Sequence, residues 1–546
     1  MNTNASPVVP DVSVVLISYN DATRLPRALA ALQHQSHRNI EIIVVDDAST
    51  DGTYELVAAA AAADGRIRQV VLSGNSGGCS GPRNRGIDEA RGTWVMFCDS
   101  DDEYTRDAVV ELMRAAEQGK ADLGCGVAER FYLRDSRGYP WRPELHEPRI
   151  MSTIMDFPDL IADTICVNKI YRRSWLIETG IRFPEGLLYE DQLFTIEAFT
   201  TARTIVVIPE TTYRWNVAAE SNQQSITQRR TELRNVKNRI EINRRIDTYL
   251  TGLELPGLTA IKGIKFLTHD LPISLAAVLL VNDDEAAPIV EVLADYARGI
   301  DMDLVSEIPP INKVVVGCLL RGDIAGIRNV IRYLRWTYVI DVPITAEGER
   351  QYWGAPTDLD EPALHGHDAR WWREVTSLGL QAEPFARQRL CHLLIDFAVN
   401  ADELTLSGST VDPFTMFDKV VAANFVMLQG ANSVLARLPM TWEQIDLHKW
   451  TWRAAGSFAA TGLDRARIGQ RGVFGVELQT GTDVNVRTVH MGQMSEPKFV
   501  MDWPGRFFGR ASGLTIYLGR RGTIAWRSSP TRAQRSIARI LGGGRG

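Results

Sequence analysis

The sequence predicts an α/β fold for its first 228 residues: a mostly parallel sheet with helices on both faces. Three observations predict it. Apolar, β-branched runs recur without alternation, as in strands buried on both faces. Amphipathic helical stretches separate them. The resulting βαβαβαβ order is that of parallel strands joined by crossover helices. Residues 12–18 (VSVVLIS) give the first strand, and 21–35 an amphipathic helix with Asp21 or Thr23 to cap it. Residues 40–45 (IEIIVV) give the second strand, which ends on the turn Asp46-Asp47-Ala48-Ser49-Thr50-Asp51-Gly52. Residues 67–72 make a third strand, 82–90 begin a helix, and 93–98 (TWVMFC) make a fourth strand. Residues 150–220 complete the unit. They supply a helix near 153–164, the segment Val167-Asn168-Lys169-Ile170-Tyr171, a helix over 190–202 and a strand over 204–209.

The pattern then changes twice. Over residues 229–345 helical periodicity dominates, with helices over 228–250, 287–296 and 324–334, and a helical linker domain is expected. Over 346–530 short strand-like runs recur at 390–399, 403–407, 424–428, 472–479, 483–491, 498–501, 514–518 and 523–527. Turn residues separate them, and one or two β-sandwich domains are expected. A basic tail, 531–546, ends the chain.

A length of 546 residues exceeds one hydrophobic core, and a net charge of −7 argues against a protein that wraps nucleic acid. The six cysteines, at 79, 98, 125, 166, 318 and 391, show no CxxC spacing, which fits reduced, buried thiols and a cytoplasmic protein. The first residues, MNTNASPVVPD, lack the basic and apolar regions of a signal peptide. The longest apolar run, 273–281, has nine residues and is too short to cross a bilayer.

Four segments carry chemistry. Asp99-Ser100-Asp101-Asp102 follows the apolar run 93–98. Carboxylates at the carboxyl end of a parallel strand stand where open α/β sheets bind ligands, and they are the hard oxygen ligands that Mg²⁺ or Mn²⁺ needs. Asp46-Asp47 also ends a strand; it either accepts the imide N–H of a pyrimidine or caps the next helix. The loop Asn75-Ser76-Gly77-Gly78-Cys79-Ser80-Gly81-Pro82-Arg83-Asn84 is glycine-rich, as loops that approach a phosphate are, and Arg83 adds a cation at the start of a helix. Tyr189-Glu190-Asp191-Gln192 offers a general base. Asp191 is the first candidate and Glu190 the second, unless the two acids only complement the helix dipole. Beyond these, Tyr213-Arg214-Trp215 reads as the start of a loop. Arg214 could clamp a diphosphate there and Trp215 cover a sugar, or Trp215 is simply buried.

Together VSVVLISYN, VVDDASTDGT, NSGGCSGPRNRGI, MFCDSDDEY, NKIYRRS and FPEGLLYEDQLF resemble the family 2 glycosyltransferases of GT-A (Rossmann-like) fold, over about residues 11–228. The resemblance implies a UDP-sugar donor and transfer with inversion. It implies that Tyr19 and Asp47 contact uridine with Asn75 nearby, that Arg83 approaches the nucleotide or pyrophosphate and that Asp99 contacts ribose or sugar. Asp101 would then coordinate Mn²⁺ or Mg²⁺, Asp102 would touch a sugar hydroxyl, and Asp191 would be the base. The order of catalytic domain, helical linker and immunoglobulin-like sandwiches is similar to the poly(ribitol phosphate) N-acetylglucosaminyltransferases of wall teichoic acid. That implies N-acetylglucosamine as the sugar, a polymeric cell-envelope acceptor and a homo-oligomer, a trimer in those enzymes.

Two other functions fit the same residues. One is transfer to a lipid-linked oligosaccharide, an exopolysaccharide or a secondary metabolite. The other is an inactive GT-A scaffold whose sandwiches bind carbohydrate. Residues 520–546 hold seven arginines and no acid. Arg532, Arg535 and Arg539 would share one helical face, suited to anionic lipid at the inner face of the plasma membrane or to a polyphosphate acceptor, unless the tail is disordered.

Overall fold

The computed structural model describes residues 9–133, 136–217, 231–335, 339–400, 403–429, 433–457, 471–491, 500–507, 510–518 and 524–530. The chain divides into two compact units, Met1–Lys265 and Phe266–Gly546. The first therefore takes in two helices that follow residue 228.

In the first unit the elements run β1 (Val12–Ser18), α1 (Leu25–Gln33), β2 (Ile40–Asp46), α2 (Thr53–Ala63), β3 (Ile67–Val71), α3 (Ser80–Glu89), β4 (Trp94–Asp99) and β5 (Glu103–Tyr104). They continue as α4 (Ala108–Gln118), β6 (Leu123–Tyr132), β7 (Arg137–Pro140), β8 (Arg149–Met151), β9 (Lys169–Arg172), α5 (Arg173–Thr179), α6 (Glu190–Thr201), β10 (Ile205–Val217), α7 (Leu233–Gly252) and α8 (Pro256–Lys265). The sheet order is β3-β2-β1-β4-β9-β6-β10-β5. The first four strands are parallel, and β9 runs antiparallel between β4 and β6. Every residue of β1 and β2 is buried, which is why both read as largely apolar runs; the buried Ser13 and Glu41 within them hydrogen-bond to each other. Ile242, Ile246 and Leu250 of α7 and Leu258 of α8 join this same core.

Helix α3 lies close on β1. A Cβ at Gly86 would collide with the Val15 side chain. Gly86→Ala should therefore lower the urea midpoint, with a loss of about 1–3 kcal/mol from overpacking.

Three local expectations are corrected. No α-helix forms over 153–164; two short 3-10 turns, Ile154–Asp156 and Pro158–Ala162, stand there. Pro158 holds Phe157 at φ −153° and ψ 77°, outside the helical region, and so breaks the segment. Neither Asp21 nor Thr23 caps α1, whose N-cap is Arg24 without a side-chain cap. Tyr213-Arg214-Trp215 is not a loop but part of β10, paired through Ala128, Glu129 and Arg130 with β6. Its strand conformation comes from pairing with distant residues, which a local reading misses.

The second unit begins with helices, among them Asp283–Ala297, Pro310–Arg321 and Ile324–Arg335. Its β part closes on itself. In ring order the strands are Ala422–Gln429, Ser433–Gln444, Lys449–Ser457, Glu403–Val411, His392–Asn400, Asp483–Met491 and Arg471–Thr480, the last pairing back to the first. All these pairs are antiparallel except His392–Asn400 with Asp483–Met491. Two strands pass from one sheet to the other, so the expected sandwich is joined at its corners into a barrel-like form. Leu406, Phe425, Leu438, Trp452, Phe474 and Leu478 fill it. Ser433–Gln444, which the spacing of strand signals does not single out, carries Pro439 where its pairing changes partner. Ile524–Pro530, Arg510–Leu518 and Val500–Phe507 extend the sheet from Arg471–Thr480. Residues 531–546, expected as a basic tail, lie outside the described residues, as do 218–230. Among the described residues no helix is long and apolar enough to cross a membrane.

Candidate functional site

The chain runs outward from β1 to β2 and β3, then returns to β4 on the other side of β1. Such a reversal opens a crevice beyond the carboxyl ends of the two central strands. Ser18 pairs with Asp46 and Ile17 with Asp99. Tyr19, Asp47 and the turn from Asp99 to Asp102 therefore share one edge. Tyr19 is 50% exposed there.

Asp47 is buried. Its carboxylate accepts the Asn75 side-chain amide at 3.1 Å, the Ser76 backbone N–H at 2.9 Å and the Ser76 hydroxyl at 2.9 Å. The next helix is capped instead by Gly52, in the left-handed region at φ 89°. Asp47 thus pins the glycine-rich loop to the end of β2, and Asn75 comes with it.

That loop leads into α3, whose first turn delivers Arg83. The guanidinium is buried. It donates to Glu190 Oε1 at 2.5 Å and to Asp99 Oδ1 at 2.7 Å. It also lies over the Phe183 ring, 5.3 Å from its centre. Phe183 stacks on Phe194 at 3.8 Å, with Phe97 edge-on to both. One arginine on an aromatic floor thus joins α3, β4 and α6, three of the four segments singled out from the sequence.

Asp191 sits beside this pair at the start of α6. Burial, Glu190 and Asp99 push its carboxyl up, Arg83 and Lys169 oppose them, and the result is about 7. Beneath it, Lys169 is fully buried and donates to Asp163, to the carbonyls of Asp163 and Ile165 and to Asn168. His146 also meets Asp163, at 3.3 Å. The sequence shows Asn168-Lys169 but gives no sign of Asp163 or His146, because that cluster is made by folding.

The acidic turn divides its work. Asp102 is buried, accepts the Tyr213 hydroxyl at 2.9 Å and the Asn216 N–H at 2.8 Å, and so ties the turn to β10. Burial first, then Asp101 and Asp99, raise its carboxyl well above the usual range. Asp101 meets Arg24 at 2.9 Å. Burial and Asp99 push the Asp101 carboxyl up while Arg24 holds it down. Arg27 reaches the Asp101 carbonyl at 2.8 Å and Glu103 at 2.8 Å. Arg24 and Arg27 belong to no motif; their only sequence signal is their nearness to the end of β1. Arg214 donates to Glu129 at 2.8 Å, and Arg130 lies over Trp215 at 5.0 Å. Neither Arg214 nor Trp215 hydrogen-bonds to Arg83, Asp99 or Asp191.

No group of three or more His, Cys, Asp or Glu side chains suited to a metal occurs among the described residues. Asp99 and Asp101 have side chains 31% and 34% exposed. Two partly exposed carboxylates, each paired with an arginine through one oxygen, fit an ion that takes its other ligands from phosphates and water, as Mg²⁺ does.

Residues 13–180 match the family Glycosyl transferase family 2. Over 227 residues the chain is 30% identical to the succinoglycan biosynthesis protein ExoO of Rhizobium meliloti, covering 40% of this chain and 64% of that protein. Over 222 residues it is 30% identical to the poly(ribitol-phosphate) beta-N-acetylglucosaminyltransferase TarS of Staphylococcus aureus, covering 39% of this chain and 36% of that one. The chain thus spans less than two thirds of the length of these curated relatives. A solved structure of S. aureus TarS 1-349 in complex with UDP-GlcNAc superposes with a TM-score of 0.52 at 22% identity, covering 66% of this chain and all of that one. At that identity the likeness is one of fold.

Proposed function

We propose that the chain is an inverting glycosyltransferase with Asp191 as its general base, a reading supported by the match of residues 13–180 to Glycosyl transferase family 2. The observation that carries this is the place of Asp191 at the start of α6, next to Glu190, which the buried Arg83 bridges to Asp99; burial and Glu190 raise the Asp191 carboxyl. A base works best when its pKa lies near the operating pH. Asp191 takes the proton of the acceptor hydroxyl as that oxygen bonds to the anomeric carbon. The bond from that carbon to the diphosphate oxygen breaks on the opposite face, so an α-linked donor gives a β-linked product. Glu190 is committed to Arg83 and acts as a positioning residue.

The proposed donor is a UDP-sugar, with uridine against Tyr19, Asp47 and Asn75. N-acetylglucosamine is the proposed sugar, supported by the activity of the S. aureus relative. A Mn²⁺ or Mg²⁺ ion at Asp101 would neutralise the departing diphosphate. Asp99 faces ribose or sugar while Arg83 holds it. Asp102 orients the turn through Tyr213 and Asn216 and is the proposed contact of a sugar hydroxyl. Countercharge for the diphosphate is proposed from Arg83, which meets Asp99 and Glu190, and from Arg214, which meets Glu129, with Trp215 over the sugar.

The proposed acceptor is a hydroxyl of a polyol-phosphate polymer, handled at the cytoplasmic face of the membrane by a homo-oligomer, a trimer by analogy. The tail, 531–546, would add contact with membrane or polymer. A screen of nucleotide sugars by UDP release, followed by a screen of acceptors, tests this. Stimulation by poly(ribitol phosphate) with UDP-GlcNAc is expected. Stimulation only by a lipid-linked oligosaccharide or an exopolysaccharide would move the acceptor and leave the chemistry in place.

A further inference from the structure

Arg24 lies just before α1, outside every motif, yet it reaches the centre of the acidic turn. Its Nε donates to Asp21 at 2.7 Å and its Nη1 to Asp101 at 2.9 Å. The two partners differ. The Asp21 side chain is 3% exposed, and its other oxygen accepts the Ser100 hydroxyl at 2.5 Å. The Asp101 side chain is 34% exposed. Solvent-screened ion pairs are weak and readily exchanged, whereas one whose carboxylate is buried and fixed by a second hydrogen bond, here from Ser100, is retained. Arg24 can therefore release Asp101 while staying anchored on Asp21.

We propose that Arg24 is a positioning residue that gates Asp101. It occupies the carboxylate while the donor is absent and yields it when a nucleoside diphosphate supplies a competing anion. This rests on the reading of Asp101 as the divalent-cation ligand. Without donor, a guanidinium at hydrogen-bond distance both occupies Asp101 and repels a second cation. With donor, the diphosphate neutralises Arg24, and Asp101 turns to the cation. Cation and nucleotide then bind together, and neither Mn²⁺ nor Mg²⁺ is held idle in the site.

Calorimetric titration of the full chain with Mn²⁺, with and without saturating UDP, tests this for the wild type, Arg24→Met and Arg24→Lys. In the wild type, UDP should tighten Mn²⁺ binding. In Arg24→Met, Mn²⁺ alone should bind about three- to tenfold more tightly, and the effect of UDP should shrink by the same factor, as linkage requires. Arg24→Lys, which keeps the charge but loses the fork, should fall between. Mn²⁺ affinity unchanged in both variants would overturn the gate while leaving the function intact. Wild-type Mn²⁺ binding that is equally tight with and without UDP would overturn it without recourse to any variant. A wild-type chain that binds neither UDP nor Mn²⁺ would overturn the function and the gate together.

Discussion

Asp191→Asn should lower transfer by about 10²- to 10⁴-fold, the usual contribution of a general base, and leave donor affinity nearly unchanged. In the wild type the rate should rise with pH through about 7 and then level off, because only the ionised carboxyl accepts the hydroxyl proton. The same shift has a cost in stability. The ordinary value of the group is 3.8, and the fold raises it to about 7. Below about pH 4 the group is protonated in folded and unfolded chains alike and contributes nothing. Between those values the folded chain binds the extra proton, so stability falls as pH rises, and the full penalty applies above 7. Asn carries no charge to penalise. Asp191→Asn should therefore melt a few degrees higher than the wild type at pH 8, with the difference shrinking towards pH 4. A variant that is less stable at pH 8 would remove the idea that Asp191 is held at a cost for catalysis. Retained turnover would remove it as the base.

Arg83→Met should have the largest effect on stability. The Arg83 and Glu190 side chains are 5% and 7% exposed, and Asp99 shares the same guanidinium. Removing the cation leaves Glu190 buried without its partner, which costs about 3–5 kcal/mol. Urea denaturation of the isolated variant measures it. Arg83 also holds Asp191 down, so its loss should move the pH midpoint of activity above about 7. Arg83→Lys keeps the charge but cannot span both carboxylates, and should recover part of the stability and part of the midpoint. A pH midpoint unmoved in both variants would separate Arg83 from the base.

The parallel half of the first unit was legible for a physical reason. Strands buried on both faces cannot alternate, so β1, β2 and β4 spell themselves as apolar runs, and the acids that follow them mark the ligand edge. The strand character of β10 was not legible. Tyr213 and Trp215 are strand residues because β6 pairs with them, across more than 80 positions of sequence. The separate duties of Asp99, Asp101 and Asp102 were hidden in the same way. Three aspartates within four residues look alike until Arg83, Arg24, Tyr213 and Asn216 arrive from other elements. In the second unit, short strand-like runs separated by turn residues marked a β architecture, but not the pairing of Arg471–Thr480 with Ala422–Gln429 that closes it.

Whether the first unit is a working nucleotide-sugar enzyme is tested by the thermal stability of the full chain with Mn²⁺ and a panel of nucleotide sugars. A ligand at 100 times its dissociation constant adds about 2.7 kcal/mol, enough to raise the melting temperature by several degrees. UDP-GlcNAc should do so in the wild type and in Asp191→Asn, but only weakly in Asp101→Asn. If no nucleotide sugar raises the melting temperature of the wild type, the first unit is an inactive scaffold and the account is wrong.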